Sequence, residues 1–136
     1  MAQIRPYTRA IDRLKSVQLR PTRQRTALAR LLLEGADRHV TAEQLHAEAL
    51  GANIKVSLAT VYNTLHQFTG AGLMREVVVE TGRSYFDTNI SDHYHFFEKD
   101  TGALIDIPPD SIKVLAFPDA PEGREIDHVD IIVHLK

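Results

Sequence analysis

Three features of the sequence predict an α+β fold built from two parts. Capped helical segments follow one another through the first half of the chain. The last of them runs into a glycine stop and then into two short strands joined by a tight turn. The remaining residues change to strand-like alternation. This order predicts a winged helix-turn-helix over residues 1–89, followed by a small α/β dimerisation domain over residues 90–136.

The first two helices are predicted from apolar spacing and a break between them. Tyr7, Ile11, Leu14 and Val17 recur at helical spacing and predict a first helix, which Arg20-Pro21-Thr22 ends. Thr22 is then placed to cap a second helix that runs to about Glu34. Its inward-facing residues are Leu28, Leu31 and Leu32.

The third helix is predicted from its N-terminus. Thr41 and Gln44 have the spacing of a capping box, in which each side chain accepts a hydrogen bond from the other residue's backbone N–H. The helix carries Leu45 and Ala49 on its apolar side and ends at Gly51.

The fourth helix has the composition of a DNA-recognition helix. Ser57 is placed as its N-cap, and Val56 and Val61 as a hydrophobic staple. Gly70 and Gly72 end it, before strands over residues 73–79 and 83–87 that turn at Thr81-Gly82. The predicted core positions are Leu58, Val61, Leu65 and Phe68. The opposite, uncharged face holds Ala59, Thr60, Tyr62, Asn63, Thr64, His66 and Gln67.

Hydroxyls, amides and an aromatic ring on one helix face can meet base edges and phosphates in a major groove. An ordinary amphipathic surface helix would have a similar pattern, but three helices before it and a wing after it favour DNA binding. The leading DNA contacts are Arg23, Thr60, Tyr62 and Asn63, with further basic residues of the first two helices on phosphates.

The charge distribution supports a polyanionic partner for the first part only. The chain has a net charge of −2. Residues 1–89 hold 12 Lys and Arg against 8 Asp and Glu, whereas residues 90–136 hold 4 against 10. The early basic residues are Arg5, Arg9, Arg13, Lys15, Arg20, Arg23, Arg25, Arg30 and Arg38. This asymmetry favours nucleic acid on the first part and argues against nucleic acid wrapping the whole molecule.

The second part is predicted as three strands and one helix. Residues 92–97 and 103–107 read as strands with a turn between them. Pro108-Pro109-Asp110 begins a predicted helix that carries Ile112, Leu115 and Ala116. Residues 126–135 alternate like a strand, with His128, Asp130 and His134 on one face, which we interpret as solvent-exposed. So small a sheet buries little by itself, and we therefore expect a homodimer, with no membrane partner.

Histidine and carboxylate placement predicts a metal site. His93 and His95 would point to one side of a strand and form a two-point chelate. Asp87 precedes that strand, Asp106 ends the next, and His39 lies just ahead of the third helix. Three imidazoles and two carboxylates suit Mn²⁺ or Fe²⁺. Two surface or hydrogen-bonded histidines remain an equal alternative for the HxH pair, and His46 and His66 are interpreted as plain surface residues.

Several classes of chemistry are excluded or unexpected. The chain has no cysteine, which excludes disulfides, thiolate metal sites and thiol redox chemistry. No run of about 18 apolar residues occurs, and no apolar signal segment is present, so we expect a cytoplasmic protein. A small metal-dependent hydrolase built on the HxH cluster remains an alternative, but no general base or substrate pocket is evident. We therefore do not expect an enzyme.

At this point the sequence resembles the ferric uptake regulator family of bacterial metal-responsive repressors, over nearly its whole length. The segments that carry the resemblance are LRPTRQRTALARLLLE, HVTAEQLHAEA, SLATVYNTLHQFTGAGLMREV, RSYFD and DHYHFF. The resemblance places the family's regulatory site on His39, Asp87, His93, His95 and Asp106, and implies that the site bridges the DNA-binding and dimerisation halves. Metal occupancy would then set the spacing of the two recognition helices of a dimer.

The sequence also departs from the family pattern. Most members hold a structural zinc through CxxC pairs, and the first pair's positions here read Glu98 and Thr101, so no structural zinc is expected. Tyr94 and Lys113 occupy positions where a further metal site would have acidic ligands. A cysteine-free member of this kind looks most like the iron response regulator branch, Irr, which controls iron and haem genes and responds to haem.

The likeness to that branch implies haem binding, with His93 and His95 as the candidates, and the absence of cysteine implies nitrogen or oxygen ligands. A peroxide sensor, whose iron oxidises a coordinating histidine, and a manganese sensor are the alternatives within the family.

Overall fold

The computed structural model describes residues 6–136, with side chains from Arg9 onward. Arg5 of the predicted basic group, and the side chain of Tyr7, lie outside the described residues. The chain divides into two compact units between Ile90 and Ser91. Within residues 6–136, no helix could serve as a membrane span.

Four helices make up most of the first unit, at the places that the sequence predicts. They are α1 (Pro6–Ser16), α2 (Arg23–Leu33), α3 (Ala42–Gly51) and α4 (Leu58–Gly70). Thr22 caps α2 by accepting the backbone N–H of Arg25. Thr41 and Gln44 form both hydrogen bonds of the predicted capping box of α3, at 3.1 and 2.9 Å. The predicted capping chemistry is therefore confirmed.

The core of the first unit lies between these helices. The largest apolar side chains that are fully buried in it are Leu14, Leu28, Leu32, Val40, Leu45, Val61, Leu65, Phe68, Met74 and Phe86. Burying each such side chain contributes roughly 1.5–3 kcal/mol relative to leaving it exposed. Two predicted core residues, Leu31 and Leu58, are half-buried and pack against this cluster.

Thr64 corrects one detail of the predicted recognition face. Its side chain is buried rather than exposed, and its hydroxyl donates a 2.8 Å hydrogen bond to the carbonyl of Thr60. Thr64 lies three residues after Val61 and four before Phe68, so the helical repeat turns it toward the core. The hydrogen bond within the helix satisfies its hydroxyl there.

The wing follows α4 through a closed helix end. Gly72 adopts a φ of +84°, and the N–H of Leu73 donates to the carbonyl of Phe68 at 2.9 Å. This is the hydrogen bond that defines a Schellman motif. Leu73 therefore belongs to the helix end, which is why β2 (Arg75–Glu80) begins later than predicted. The turn at Gly82, with a φ of +74°, leads into the antiparallel β3 (Arg83–Asp87).

A two-residue strand, β1 (His39–Val40), completes the sheet of the first unit and was not predicted. It pairs antiparallel with β3, on the side of β3 that faces away from β2, so the strand order is β1-β3-β2. A segment of two residues has no alternation from which a strand could be recognised.

The second unit contains the three predicted strands in shorter form. They are β4 (His95–Glu98), β5 (Ala103–Asp106) and β6 (Ile132–Leu135). Their order is β5-β4-β6, with β5 antiparallel and β6 parallel to β4. The buried apolar side chains of this unit are Phe97, Leu104 and Ile107.

The helix predicted after Pro108 is wrong, because residues 107–131 contain no helix. Asp110 has a φ of +68°, which a right-handed helix cannot include. Between Asp110 and Pro118 only about two turns of helix would remain, and helices that short are marginal unless an apolar face is buried. Leu115 is instead 94% exposed.

The shared strand face predicted for three polar residues is also wrong in part. Of His128, Asp130 and His134, only His134 lies in β6. The ring of His134 packs edge-on against Phe97, with 5.8 Å between the ring centroids. His128 lies before the strand and pairs with Asp127 and, at 3.4 Å, with Asp130.

Candidate metal centre and nucleic-acid interface

In the first unit, the sheet places two predicted metal ligands opposite each other. His39 on β1 is the direct cross-strand partner of Asp87 on β3. Side chains at directly opposed antiparallel positions have Cβ atoms about 5 Å apart. The side chain of Asp87 is only 1% exposed, and one of its oxygens accepts the N–H of Asn89 at 2.9 Å. A buried carboxylate of this kind is stable only when it is fully partnered.

The short strand β1 is held in place by its neighbours. The N–H of Thr88 donates to the carbonyl of Arg38, and the N–H of Arg38 donates to the hydroxyl of Thr88, each at 2.9 Å. The guanidinium of Arg38 also donates two hydrogen bonds, of 2.8 and 2.6 Å, to the carboxylate of Glu48 on α3. These bonds raise the pKa of Arg38, because they stabilise its charged form. His39 therefore sits on a strand that is anchored on both sides.

In the second unit, one carboxylate faces two imidazoles. His95 begins β4 and is the cross-strand partner of Asp106 on β5. The Nε2 atoms of His93 and His95 lie 3.5 and 3.3 Å from the same Oδ1 of Asp106. The two rings are 4.5 Å apart between centroids, and His95 is buried. The predicted histidine pair is therefore brought together around one oxygen.

His93 reaches this place by a different route than predicted. It lies before β4 rather than within it, so strand alternation does not direct its ring. Its Nδ1 is 2.7 Å from the carbonyl of Ser91. Because a carbonyl can only accept, Nδ1 must carry a proton, and in a neutral ring Nε2 then presents a lone pair. Nε2 faces the carboxylate of Asp106, to which a doubly protonated ring donates and beside which a neutral ring offers a lone pair to a metal ion.

The chemistry of the predicted donor set fits a first-row divalent ion. Three imidazole nitrogens and two carboxylate oxygens are ligands that such ions accept. When the His93 ring is neutral, its Nε2 and the Asp106 carboxylate are both acceptors, and a cation between them would be bound by both. The hydrogen bond at Nδ1 would also fix the ring's tautomer, as partners of metal-bound histidines do.

The predicted DNA contacts lie on different surfaces of the first unit. Asn63 is exposed, and Tyr62 is 37% exposed. Thr60 is half-buried, and its hydroxyl oxygen accepts a 2.9 Å hydrogen bond from Ser57 at the helix cap. A polar groove of about 420 Å³ beside α4 is lined by Arg20, Thr22, Gln24, Arg25, Thr60, Asn63, Thr64 and Gln67. Arg23 does not line it and instead borders a separate groove with Asn53 and Lys55.

Sequence reasoning placed Arg25 only within the basic group, although it makes the contact between α2 and α4. Its Nε donates to the Gln67 side chain at 3.1 Å, and its guanidinium also donates to the carbonyl of Arg20 at 3.1 Å. Gln67 was already on the predicted polar face of α4. Its pairing with Arg25 joins residues 42 positions apart and depends on how α2 packs against α4. A local sequence pattern cannot predict such a pairing.

Glu43 is a second residue that sequence reasoning missed. The hydroxyl of Tyr62 donates a 2.8 Å hydrogen bond to the carboxylate of Glu43, which lies in the first turn of α3. This bond raises the pKa of Tyr62, because it stabilises the neutral phenol. In the sequence, Glu43 is recognisable only as an acidic residue near a helix N-terminus. Such a residue ordinarily stabilises the helix dipole and does not indicate a contact with another helix.

The two histidines interpreted as plain surface residues make contacts in the structure. His46 is half-buried, and its Nε2 lies 3.1 Å from the carbonyl of Val56. His66 is exposed, but its ring centroid is 5.7 Å from that of Phe86 and 6.3 Å from that of Tyr62. The contacts with Val56 and Phe86 join residues that are not neighbours within one element, so a local pattern could not show them.

Comparisons with known proteins give a consistent result. A model of the ferric uptake regulator family matches residues 16–134. The peroxide operon regulator of Bacillus subtilis is 35% identical over 97 residues, covering 71% of this chain and 66% of that protein. The ferric uptake regulation protein of Shigella flexneri is 35% identical over 101 residues, covering 74% and 68%. The matched segments thus span about two thirds of these relatives' lengths.

A solved structure extends the likeness to the fold. The structure of the ferric uptake regulator from Pseudomonas aeruginosa with manganese is 26% identical, with a TM-score of 0.66, covering 92% of this chain and 95% of that one. This likeness confirms the predicted α+β class, with a winged helix-turn-helix followed by a small α/β domain.

Proposed function

The chain belongs to the ferric uptake regulator family, and from this membership we propose that it is a DNA-binding regulator of iron and haem genes. Members of this family are metal-responsive transcription regulators and not enzymes. The resemblance stated from the sequence is therefore confirmed, and so is the expectation that the chain is not an enzyme. The alternative of a metal-dependent hydrolase is wrong for the same reason.

We propose that His39, Asp87, His93, His95 and Asp106 bind one divalent ion, Mn²⁺ or Fe²⁺, as the regulatory signal. Four of the five, all except His93, form a group that could hold a metal ion. His93 is supported by its contact with the same Asp106 oxygen as His95. The ion would supply the positive charge that these carboxylates and imidazole lone pairs attract.

The observation that carries this proposal is the pair of imidazole nitrogens on one carboxylate oxygen, one with its tautomer fixed by a backbone carbonyl. The similar ferric uptake regulator from Pseudomonas aeruginosa was solved with manganese, which supports Mn²⁺ as a probe for this chain.

For DNA, we propose that α4 enters a major groove with Tyr62, Asn63 and Thr60 toward the bases. Arg23 would contact phosphate, and the polar groove that holds Arg25 would lie along the backbone of the duplex. This division follows the general pattern in which phosphate contacts orient a protein and base contacts give sequence preference.

We propose haem as a second signal, with His93 and His95 as candidate ligands. Imidazole nitrogen is a suitable ligand for haem iron. The packing fits haem less well than it fits a small ion, since His95 is only 3% exposed. Haem would therefore have to move this histidine away from Asp106, and we expect haem and Mn²⁺ to compete. No structural zinc is proposed, because its cysteine ligands are missing.

Peroxide sensing is the alternative that a specific observation favours, because two relatives at 33–35% identity are peroxide regulators by name. In that case a site histidine would gain one oxygen atom from hydrogen peroxide, whose other oxygen leaves as water. Mass analysis of the iron-loaded chain after peroxide treatment would detect this added oxygen on a peptide containing His39, His93 or His95. If the chain stays unmodified, peroxide sensing is refuted, and metal or haem remains as the proposed signal.

We further propose that the chain acts as a homodimer on a double-stranded operator in the cytoplasm. The experiment that tests the function begins by selecting preferred duplexes from random-sequence DNA with the purified chain. Affinity for the selected duplex is then measured with Mn²⁺, Fe²⁺, haem or chelator. Metal should strengthen binding and haem should weaken it. A chain that selects no sequence under any of these conditions would refute the proposed function.

A further inference from the structure

The feature that the proposed function leaves unused is an acidic side chain beside the recognition helix. Glu43 lines a groove of about 520 Å³ together with Tyr62 and His66 of α4 and with Glu76, Gly82, Arg83 and Ser84 of the wing. A carboxylate in this position is unexpected in a surface that must meet DNA, because it repels phosphate. Its cost to DNA affinity calls for a compensating role.

The geometry indicates that role. The hydroxyl of Tyr62 donates to Oε1 of Glu43 at 2.8 Å, so the phenol is tied to α3 although its ring belongs to α4. The backbone of Glu43 is held in place, because it lies in the capped first turn of α3 beside the capping box of Thr41 and Gln44. An exposed tyrosine that is not tied in this way can occupy several rotamers, and only some of them suit one base step.

We propose that Glu43 is a specificity-determining residue, which orients Tyr62 on the recognition face and repels phosphate from the groove between α3, α4 and the wing. This inference rests on the proposed DNA-binding function. Glu43 then adds no attraction to DNA in general. It raises the ratio of operator affinity to non-specific affinity, because only the operator is read by the oriented ring, whereas repulsion weakens binding to every duplex.

Four variants separate orientation from charge. Glu43→Gln removes the charge but keeps an oxygen that can accept from the Tyr62 hydroxyl. Glu43→Ala removes both, and Tyr62→Phe removes the donor while keeping the ring. Glu76→Gln is the matched control, because Glu76 lines the same groove and differs in having no role in orienting Tyr62 in this proposal.

The experiment measures the affinity of each full-length variant for the selected operator and for a random-sequence duplex, at several salt concentrations. Glu43→Ala and Tyr62→Phe should each weaken operator binding by about tenfold or more, as expected for loss of one hydrogen bond to a charged group. Combining them should add little, because they break the same bond. Glu43→Gln should keep most operator affinity and, like Glu76→Gln, bind random DNA more tightly.

A spectrophotometric tyrosine titration checks the bond itself. The pKa of one tyrosine should fall in Glu43→Ala, because the acceptor that holds the Tyr62 proton is gone. Melting curves confirm that each variant folds, since an acidic residue in a first helical turn also stabilises the helix. A purely structural role would lower melting temperature without changing the ratio of the two affinities.

Failure of the specificity role can be told apart from failure of the proposed function. If Glu43→Ala leaves the ratio of operator affinity to random-sequence affinity unchanged, as removal of a simple surface acid would, the specificity role is refuted while DNA binding stands. If the unmodified chain prefers no sequence, the proposed function itself fails, and the specificity role falls with it.

Discussion

At the scale of single residues, Asp106 is the group on which the proposed sensing site depends. Its Oδ1 lies within 3.5 Å of Nε2 atoms of both His93 and His95, while its side chain is 53% exposed. Exposure leaves the carboxylate open to an ion, and its position at the end of β5 fixes it opposite β4. It is therefore the ligand whose loss should reduce metal binding with the least damage to the fold.

We predict that Asp106→Asn weakens Mn²⁺ binding by at least about tenfold, as found when groups supporting a metal site are removed. Calorimetric titration with Mn²⁺ measures this. Asp100→Asn, in the turn between β4 and β5, is the matched control and should bind as the unmodified chain does. Equal Mn²⁺ affinity for both variants would remove Asp106 from the site.

We predict that Tyr62→Ala weakens operator binding by about 1–3 kcal/mol, the usual value of one good contact in the base region. The fold should survive, because the Tyr62 ring is partly exposed and outside the buried cluster of α4. Competition binding with the selected duplex, together with circular dichroism, measures both effects. An unchanged affinity would place Tyr62 outside the interface.

Residue types in the sequence were enough to group His39, Asp87, His93, His95 and Asp106 on chemical grounds. What they could not give was the tautomer of His93, which depends on a local backbone carbonyl. They also could not give the partners of Arg25 and Tyr62, because those hydrogen bonds join residues 42 and 19 positions apart. Such pairings exist only once α2, α3 and α4 have packed.

At the scale of elements, the helices were predictable because their ends are encoded locally. Thr22, Thr41 and Ser57 all cap the helices they were expected to cap. The strand β1 was not predictable, because it exists only by pairing with β3. The helix expected after Pro108 failed for the opposite reason: its apolar residues had the right spacing but no buried face to stabilise them.

We predict that Thr41→Ala lowers the free energy of unfolding by about 1 kcal/mol, the usual loss for an N-cap hydroxyl. Half of the capping box of α3 disappears with it. Urea denaturation measures the change, and Thr81→Ala in the exposed wing turn should change it little. A loss no greater than that of Thr81→Ala would mean that the α3 N-terminus is satisfied by water instead.

At the scale of the whole molecule, the second unit exposes large apolar side chains. Among them are Ile105, Val114, Leu115, Phe117, Ile126 and Leu135. A small sheet with so much exposed apolar surface is typical of a unit that pairs with another copy. We predict a dimer that persists under strong chelation, because apolar strand residues rather than zinc would hold it.

Light scattering with and without chelator tests this prediction. The protein should scatter as a dimer in both conditions. Dissociation to monomers under chelator would show that a structural metal holds the second unit together.

The haem proposal also belongs to this scale, since haem should shift the dimer away from its DNA-competent state. We predict that the His93→Ala, His95→Ala double variant loses the haem Soret shift and the competition between haem and Mn²⁺ while still folding. If that variant binds haem with an unchanged spectrum and haem still releases its DNA, the haem site lies elsewhere. His128 and His134 would be tested next.

The central claim, that metal at the His/Asp site controls DNA binding, is tested most directly by measuring operator affinity with Mn²⁺ and with chelator. Mn²⁺ should tighten binding by about 5–150-fold, and operator DNA should tighten Mn²⁺ binding by the same factor, because coupling between two sites is reciprocal. In the His93→Ala, His95→Ala variant both effects should vanish. Equal operator affinity with Mn²⁺ and with chelator, for a chain that binds both Mn²⁺ and the operator, would contradict the claim.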